Sequence, residues 1–234
     1  MPRPDVAIVG AGITGLATAF HLAERGAGHI VVYERVGIAA GASGMQPGGV
    51  RQQWGTRVNC MLARASLAFY REVGERLEPR VELRFRACGY LFVAHESATL
   101  ERLRADVALQ NQLGIPSRIV GAEEAGELVP GLAAGRIVGG SWCDEDGYFD
   151  RPQAVVEAFA EAARRRGVEI RHAKVAAVEP GPRFRLADGR VLAADLSPES
   201  TVHEARTHVR EMVRAVLPRL EYVALTLVVG GTYD

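Results

Sequence analysis

Residues 5–34 run DVAIVGAGITGLATAFHLAERGAGHIVVYE, and this stretch decides the fold. Asp5 to Val9 is a short apolar run of strand length, followed at once by Gly10-Ala11-Gly12-Ile13-Thr14-Gly15. From Ile13 to Arg25 apolar residues recur at helical spacing (Leu16, Phe20, Leu22, Ala23), and Gly26 is a natural stop. His29 to Tyr33 is a second apolar run, ending on Glu34. This order predicts a parallel βαβ unit with a right-handed crossover. The glycines have separate tasks: Gly10 permits the tight turn, Gly12 lets a pyrophosphate approach the backbone, and Gly15 lets the helix lie close to the sheet. Ile13 and Thr14 open a helix whose N–H groups and partial positive charge face an anion. Glu34, with Arg35 beside it, stands where a carboxylate can accept hydrogen bonds from a ribose. A terminal acid disfavours a 2′-phosphate, which leaves FAD or NAD ahead of NADP. Three glycines alone would equally suit an ordinary turn. The strand, helix, second strand and acid around them favour a dinucleotide.

The rest of the chain narrows the class. Its 234 residues carry 28 basic and 28 acidic side chains, and this neutral balance argues against a surface for nucleic acid or an anionic membrane, since either would want a basic excess. An apolar share of 48% excludes intrinsic disorder. Only Lys174 is a lysine, so any chemistry needing that side chain must use it. Cys60, Cys88 and Cys143 are too scattered for a disulfide framework or zinc site, and no His-x-x-x-His pair occurs; no metal is expected. No apolar run reaches the ~18 residues of a membrane span. The first strand begins too early to leave room for a signal peptide, so a cytoplasmic location is expected.

Residues 37–55, rich in Gly, Ala, Ser and Gln, read as an extended loop. Helices are predicted over 56–77, 96–113 and 122–128, and strands over 81–85, 90–93 and 136–143. Asp150 is a plausible N-cap for a helix reaching Arg166, with Pro152 in its first turn and Gly167 beyond. Four short strands follow over 168–171, 175–179, 183–186 and 191–194, with Pro180-Gly181 and Asp188-Gly189 as hairpin turns. A helix from Ser197 to about Val216 and a strand over 222–229 complete the pattern. The acidic run Asp144-Glu145-Asp146 reads as a solvated turn rather than a metal site.

An NAD dehydrogenase would continue the alternating pattern after Glu34. This chain instead runs through Ala42-Ser43-Gly44-Met45-Gln46-Pro47-Gly48-Gly49-Val50-Arg51-Gln52-Gln53 into a long helix. That passage resembles the FAD-dependent oxidoreductases of the D-amino-acid oxidase superfamily, in the branch of sarcosine oxidase, dimethylglycine dehydrogenase and glycine oxidase. Cys88-Gly89-Tyr90-Leu91-Phe92 is similar to the strand by which that branch enters its substrate domain. Asp146-Gly147-Tyr148-Phe149-Asp150-Arg151-Pro152 is similar to its return to the flavin domain, with Arg151 inserted. Lys174-Val175 falls on the strand whose backbone meets the adenine in that branch.

The resemblance implies an α/β fold: a Rossmann-like FAD-binding domain with a parallel sheet (1–85 and 138–196), interleaved with a reduced α+β substrate domain (86–137 and 197–234). It implies cofactor contacts from Gly10, Gly12, Ile13, Thr14, Gly15, Glu34, Arg35, Ala42, Ser43, Gly48, Gly49, Val50 and Val175. Arg51 is the candidate catalytic residue, matching a family arginine near the flavin; Gln52, Gln53 and Trp54 are weaker candidates, and Trp54 equally suits a core anchor. The FAD should be non-covalent, since relatives that tether it use a histidine near residues 42–55 or a cysteine near the C-terminal end, and this chain has neither. The implied reaction is oxidation of a C–N bond in a small amine or amino acid. Against the family pattern, the segment after Asp195 departs at Ser197-Pro198-Glu199, and Tyr233-Asp234 resembles the start of a motif that stops short. The expectation is an internally deleted and shortened member, which would associate with another copy or a partner chain. The alternatives are a non-catalytic, partner-dependent remnant and a plain NAD-binding protein.

Overall fold

The computed structural model describes residues 4–179, 183–193 and 227–229. In chain order its elements are β1 (Val6–Val9), α1 (Ile13–Glu24), β2 (Ile30–Glu34), α2 (Ala42–Met45), β3 (Gly49–Val50), α3 (Arg57–Arg71), α4 (Val73–Leu77), β4 (Phe85–Ala87), β5 (Tyr90–Ala94), α5 (Ser97–Gln112), β6 (Arg118–Val120) and α6 (Ala122–Leu128). After a short 3-10 turn at Ala134–Arg136 come β7 (Gly139–Cys143), β8 (Gly147–Phe149), α7 (Pro152–Arg165), β9 (Glu169–His172), β10 (Val175–Glu179), β11 (Arg183–Leu186), β12 (Val191–Ala193) and β13 (Leu227–Val229).

The chain divides into two compact units. The first holds the described residues up to Gln46, Leu77–Glu82 and those from Arg151 onward. Its sheet has the order β13-β1-β2-β9, with β1, β2 and β9 parallel as expected and β13 antiparallel to β1. Ile30, Val31, Val32 and Tyr33 of β2 are all buried, so the strand is covered on both faces, as a parallel sheet requires. On one face Ala7, Val31 and Tyr33 cluster with Leu186 of the antiparallel meander β10-β11-β12. On the other, α1 lies against Ile8. Beside α1 packs α7, with the rings of Phe20 and Phe159 edge to face at 5.7 Å. Each such fully buried side chain contributes roughly 1.5–3 kcal/mol.

The second unit comprises Pro47–Arg76 and Leu83–Asp150. It contains two antiparallel sheets, β3-β8-β4 and β5-β7-β6. Trp142 of β7 packs with Val120, Ala125 and Ile137, while Cys60, Ile115 and Cys143 form a smaller apolar cluster. Gly89, at φ +80°, is pinned by that tryptophan: a Cβ would sit 1.9 Å from its ring.

These units divide the chain differently from the expected boundaries at 85, 137 and 196. Residues 47–76 and 138–150 belong with the second unit, because β3 pairs with β8 and because β7 is the central strand between β5 and β6. The strand at 227–229, expected in a reduced substrate domain, extends the first sheet through Val6↔Val229. The rest of 194–226, including the expected helix from Ser197, lies outside the described residues. Asp150 does not cap α7: the N-cap is Arg151, without a side-chain cap, and Asp150 pairs with Arg86 at 3.6 Å.

Candidate functional site

At the junction of β1 and α1 the backbone turns sharply at Gly10, whose φ of +101° suits only glycine and whose N–H donates to the Tyr33 carbonyl at 2.8 Å. Gly15 lies so close to this turn that a Cβ would come within 2.1 Å of the Gly10 carbonyl oxygen. Gly12 is the N-cap of α1 and has no side chain with which to cap it. An α-helix leaves its first N–H groups without intrahelical acceptors. That of Ile13 donates instead to the Ser43 hydroxyl at 3.0 Å, and a Cβ on Gly12 would lie 3.1 Å from the same oxygen. Gly10, Gly12, Ile13, Gly15 and Ser43 are thus brought together, with Thr14 exposed on the opening turn.

Glu34 closes this cradle from the neighbouring strand. One carboxylate oxygen accepts the Ala11 N–H at 2.8 Å and the other the Val36 N–H at 2.8 Å. Burial alone would raise its pKa, but hydrogen bonds from the backbone of Ala11, Val36, Gly37 and Arg35 outweigh that and hold the carboxyl below its ordinary value. Arg35 follows with its side chain exposed. The loop that carries Ala42 and Ser43 is tied down by the Ala39 N–H, which donates to the Ala11 carbonyl at 3.1 Å. Ala39 is buried and adopts φ +60°, a strained choice for a residue with a side chain. Gly44 fits beneath it, since a Cβ there would meet the Ala39 oxygen at 2.1 Å. Val175 packs on the Ala7–Tyr33 cluster and faces Leu186 in the meander; Lys174 is exposed.

Gly48, Gly49, Val50 and Arg51 belong to the second unit. Val50 pairs with Gly147, and the Gly48 carbonyl accepts the Phe149 N–H at 3.0 Å. The Arg51 guanidinium donates to the Gln53 carbonyl at 2.8 Å and lies over the Trp54 ring at 3.9 Å, with Phe92 at 5.0 Å. Trp54 is therefore the platform for a cation rather than a core anchor, and it is 36% exposed.

Asp146, expected on a solvated turn, is fully buried. Its oxygens accept the Gln52 N–H at 2.9 Å and the Gln53 side-chain amide at 3.2 Å. Burial raises its pKa against the lowering effect of these hydrogen bonds. The same burial, with the Asp146 charge nearby, pushes the Cys143 thiol up to about 11. Sequence reasoning missed this buried knot; the Asp-Gly pair was its one visible sign, as a Cβ on Gly147 would lie 1.8 Å from the Arg86 carbonyl oxygen. Among the described residues, no cluster of His, Cys, Asp and Glu could hold a metal ion, and no helix is long and apolar enough to cross a membrane.

Comparison with known proteins gives the family. Residues 5–224 match the family described as DAO, FAD dependent oxidoreductase. The chain belongs to this family. It is 30% identical over 184 residues to FAD-dependent oxidoreductase domain-containing protein 1 of Xenopus laevis, covering 74% of this chain and 36% of the relative. Dimethylglycine dehydrogenase of Rattus norvegicus is 26% identical, covering 77% of the chain and 21% of the relative. Among solved structures, L-proline dehydrogenase from P. horikoshii superimposes with a TM-score of 0.73 at 26% identity, over 82% of this chain and 51% of that one. Glycine oxidase from Geobacillus kaustophilus gives 0.70 at 25% identity, over 83% and 54%. This DAO-family chain thus spans about a third of the first of these relatives and about half of the solved structures.

Proposed function

We propose that this chain holds FAD non-covalently and contributes to oxidation of the C–N bond of a small amine or amino acid, of the sarcosine, glycine or proline kind. The observation that carries the reading is the cradle: Gly12, Ile13 and Ser43 around the start of α1, closed by a Glu34 carboxylate kept ionised by backbone N–H groups. The missing Cβ of Gly12 leaves room for a pyrophosphate at a helix N-terminus, and the acid suits a ribose hydroxyl. The residues therefore fit the ADP half of FAD, with Thr14, Gly15, Arg35 and Ala42 beside it and the Val175 backbone toward the adenine. Gly48, Gly49 and Val50 as cofactor contacts, and Arg51 as a cation for the flavin ring, enter this reading through the family resemblance. FAD, once bound, supplies a two-electron acceptor for the hydride on the carbon beside nitrogen; the nitrogen loses a proton, and water hydrolyses the imine. The names of the relatives support this substrate class, since they include oxidases and dehydrogenases of proline, glycine and dimethylglycine.

The test is reconstitution of the purified chain with FAD and with NAD, followed by dye-coupled oxidation of sarcosine, glycine and proline. Saturable FAD binding, flavin released into the supernatant on acid precipitation, and amine-dependent dye reduction are expected. Binding of NAD in place of FAD would overturn the cofactor assignment. FAD binding without turnover would leave a dinucleotide-binding chain that depends on a partner.

A further inference from the structure

Gln53 is 4% exposed, and its side-chain amide is fully engaged. Its nitrogen donates to the Tyr90 carbonyl at 2.8 Å and to Asp146 at 3.2 Å, and its oxygen accepts the Ser141 hydroxyl at 2.8 Å. The second oxygen of Asp146 takes the Gln52 N–H at 2.9 Å. A carboxylate accepts only, so it satisfies both donors at once. An asparagine in its place would turn an NH2 group toward another NH2 group or surrender the Gln52 N–H. An ionised group with amide partners is costly to bury, so stability alone does not account for a carboxylate at this position. What this knot fixes is the segment Gln52–Trp54, whose backbone closes on itself through Trp54 N–H to Gln52 O at 2.9 Å. The Trp54 carbonyl is held in turn by Gln110 at 3.0 Å. That segment supplies both the carbonyl and the ring that hold Arg51. Among the described residues the Gln53 carbonyl is the one acceptor of its guanidinium, which leaves donors for a ligand.

We infer that Asp146 is a positioning residue: through Gln52 and Gln53 it fixes the Arg51 guanidinium as a preset cation for an anionic group at the flavin site. The inference rests on the reading of Arg51 as a residue that faces the flavin ring. It is tested without cofactor or turnover, so failure of the proposed function and failure of this inference are separable. In the full chain labelled with 15N-arginine, the Arg51 side-chain Nε–H resonance is assigned by its loss in Arg51→Lys. It is expected upfield of the other arginines, since it lies over the Trp54 ring. Asp146→Asn should return it to the bulk arginine position while the far-UV circular dichroism is kept. Asp150→Asn, at the exposed pair with Arg86, should leave it in place. Should Asp146→Asn fail to fold, Gln53→Met, which cuts the link but keeps the backbone carbonyl, is read in the same way. A resonance unmoved in whichever of these variants is folded, or one not shifted in the wild type, overturns the inference.

Discussion

Gly15→Ala is the sharpest test of how the cradle is built. A Cβ at this position would lie 2.1 Å from the Gly10 carbonyl oxygen, 3.2 Å from its carbon and 3.3 Å from the Ile8 side chain. A comfortable carbon–oxygen contact is about 3.3 Å, so the helix and the turn would have to part by roughly 1.2 Å. Two of these three atoms are backbone, so rotamer changes give no relief. Overpacking of this kind costs about 3 kcal/mol at the upper end of its range. Alanine returns up to about 1 kcal/mol through its higher helix propensity. The net loss is about 2 kcal/mol, or roughly 4–8 °C of melting temperature for a chain of this size. Thermal unfolding by circular dichroism reads this directly, with no cofactor present. A variant that melts at or above the wild-type temperature would refute the close packing of α1 on the Gly10 turn.

Further outcomes separate the cradle's parts. Gly12→Ala meets only the movable Ser43 hydroxyl at 3.1 Å, so it should melt within about 1 °C of wild type while its FAD affinity, by isothermal titration, falls at least about tenfold, or 1.4 kcal/mol. The Glu34 carboxyl is held below its ordinary value of 4.5, so the native chain binds fewer protons there than the unfolded one. The stability this gives is complete above pH 4.5 and lost as the pH falls through the native value; acid denaturation of Glu34→Gln should lack that component. Asp146 is shifted the other way, so its contribution should decline as the pH rises from 3.8 through its native value, and Asp146→Asn should remove that slope in urea unfolding. Thiol titration of the native chain should label Cys88 alone, because Cys60 and Cys143 are buried and burial raises both thiols; three labels should appear in denaturant.

The βαβ unit was legible because every signal in it is local: strand, glycines, helix and acid follow one another within residues 5–34. The β2–β9 pairing was legible too, since α7 ends in Arg166-Gly167 before a strand just as α1 ends in Arg25-Gly26 before β2. The expected unit boundaries differed where pairing is remote. Residues 47–50 carry no pattern that announces a partner near Gly147. The acidic run at 144–146 defeated reading for a related reason. Composition suggests a wet turn, and the partner that makes burial of Asp146 tolerable, the Gln52 N–H, lies 94 residues earlier. The cap of α1 is likewise borrowed, from Ser43, 30 residues from Ile13.

The parallel pairing of β2 with β9 has a consequence on the ribosome. His29 and Glu169, at the adjoining starts of these strands, are 140 residues apart. At a synthesis rate of about 5–20 residues per second, β9 emerges roughly 7–28 s after β2. For that interval the outer edge of Ile30-Val31-Val32-Tyr33 has no native partner, although the mature fold buries all four residues. An apolar strand with an open edge is a template for pairing with another chain. The nascent protein is therefore most exposed to aggregation while its second unit is being made, and translation speed across residues 35–169 becomes a determinant of how much reaches the native state.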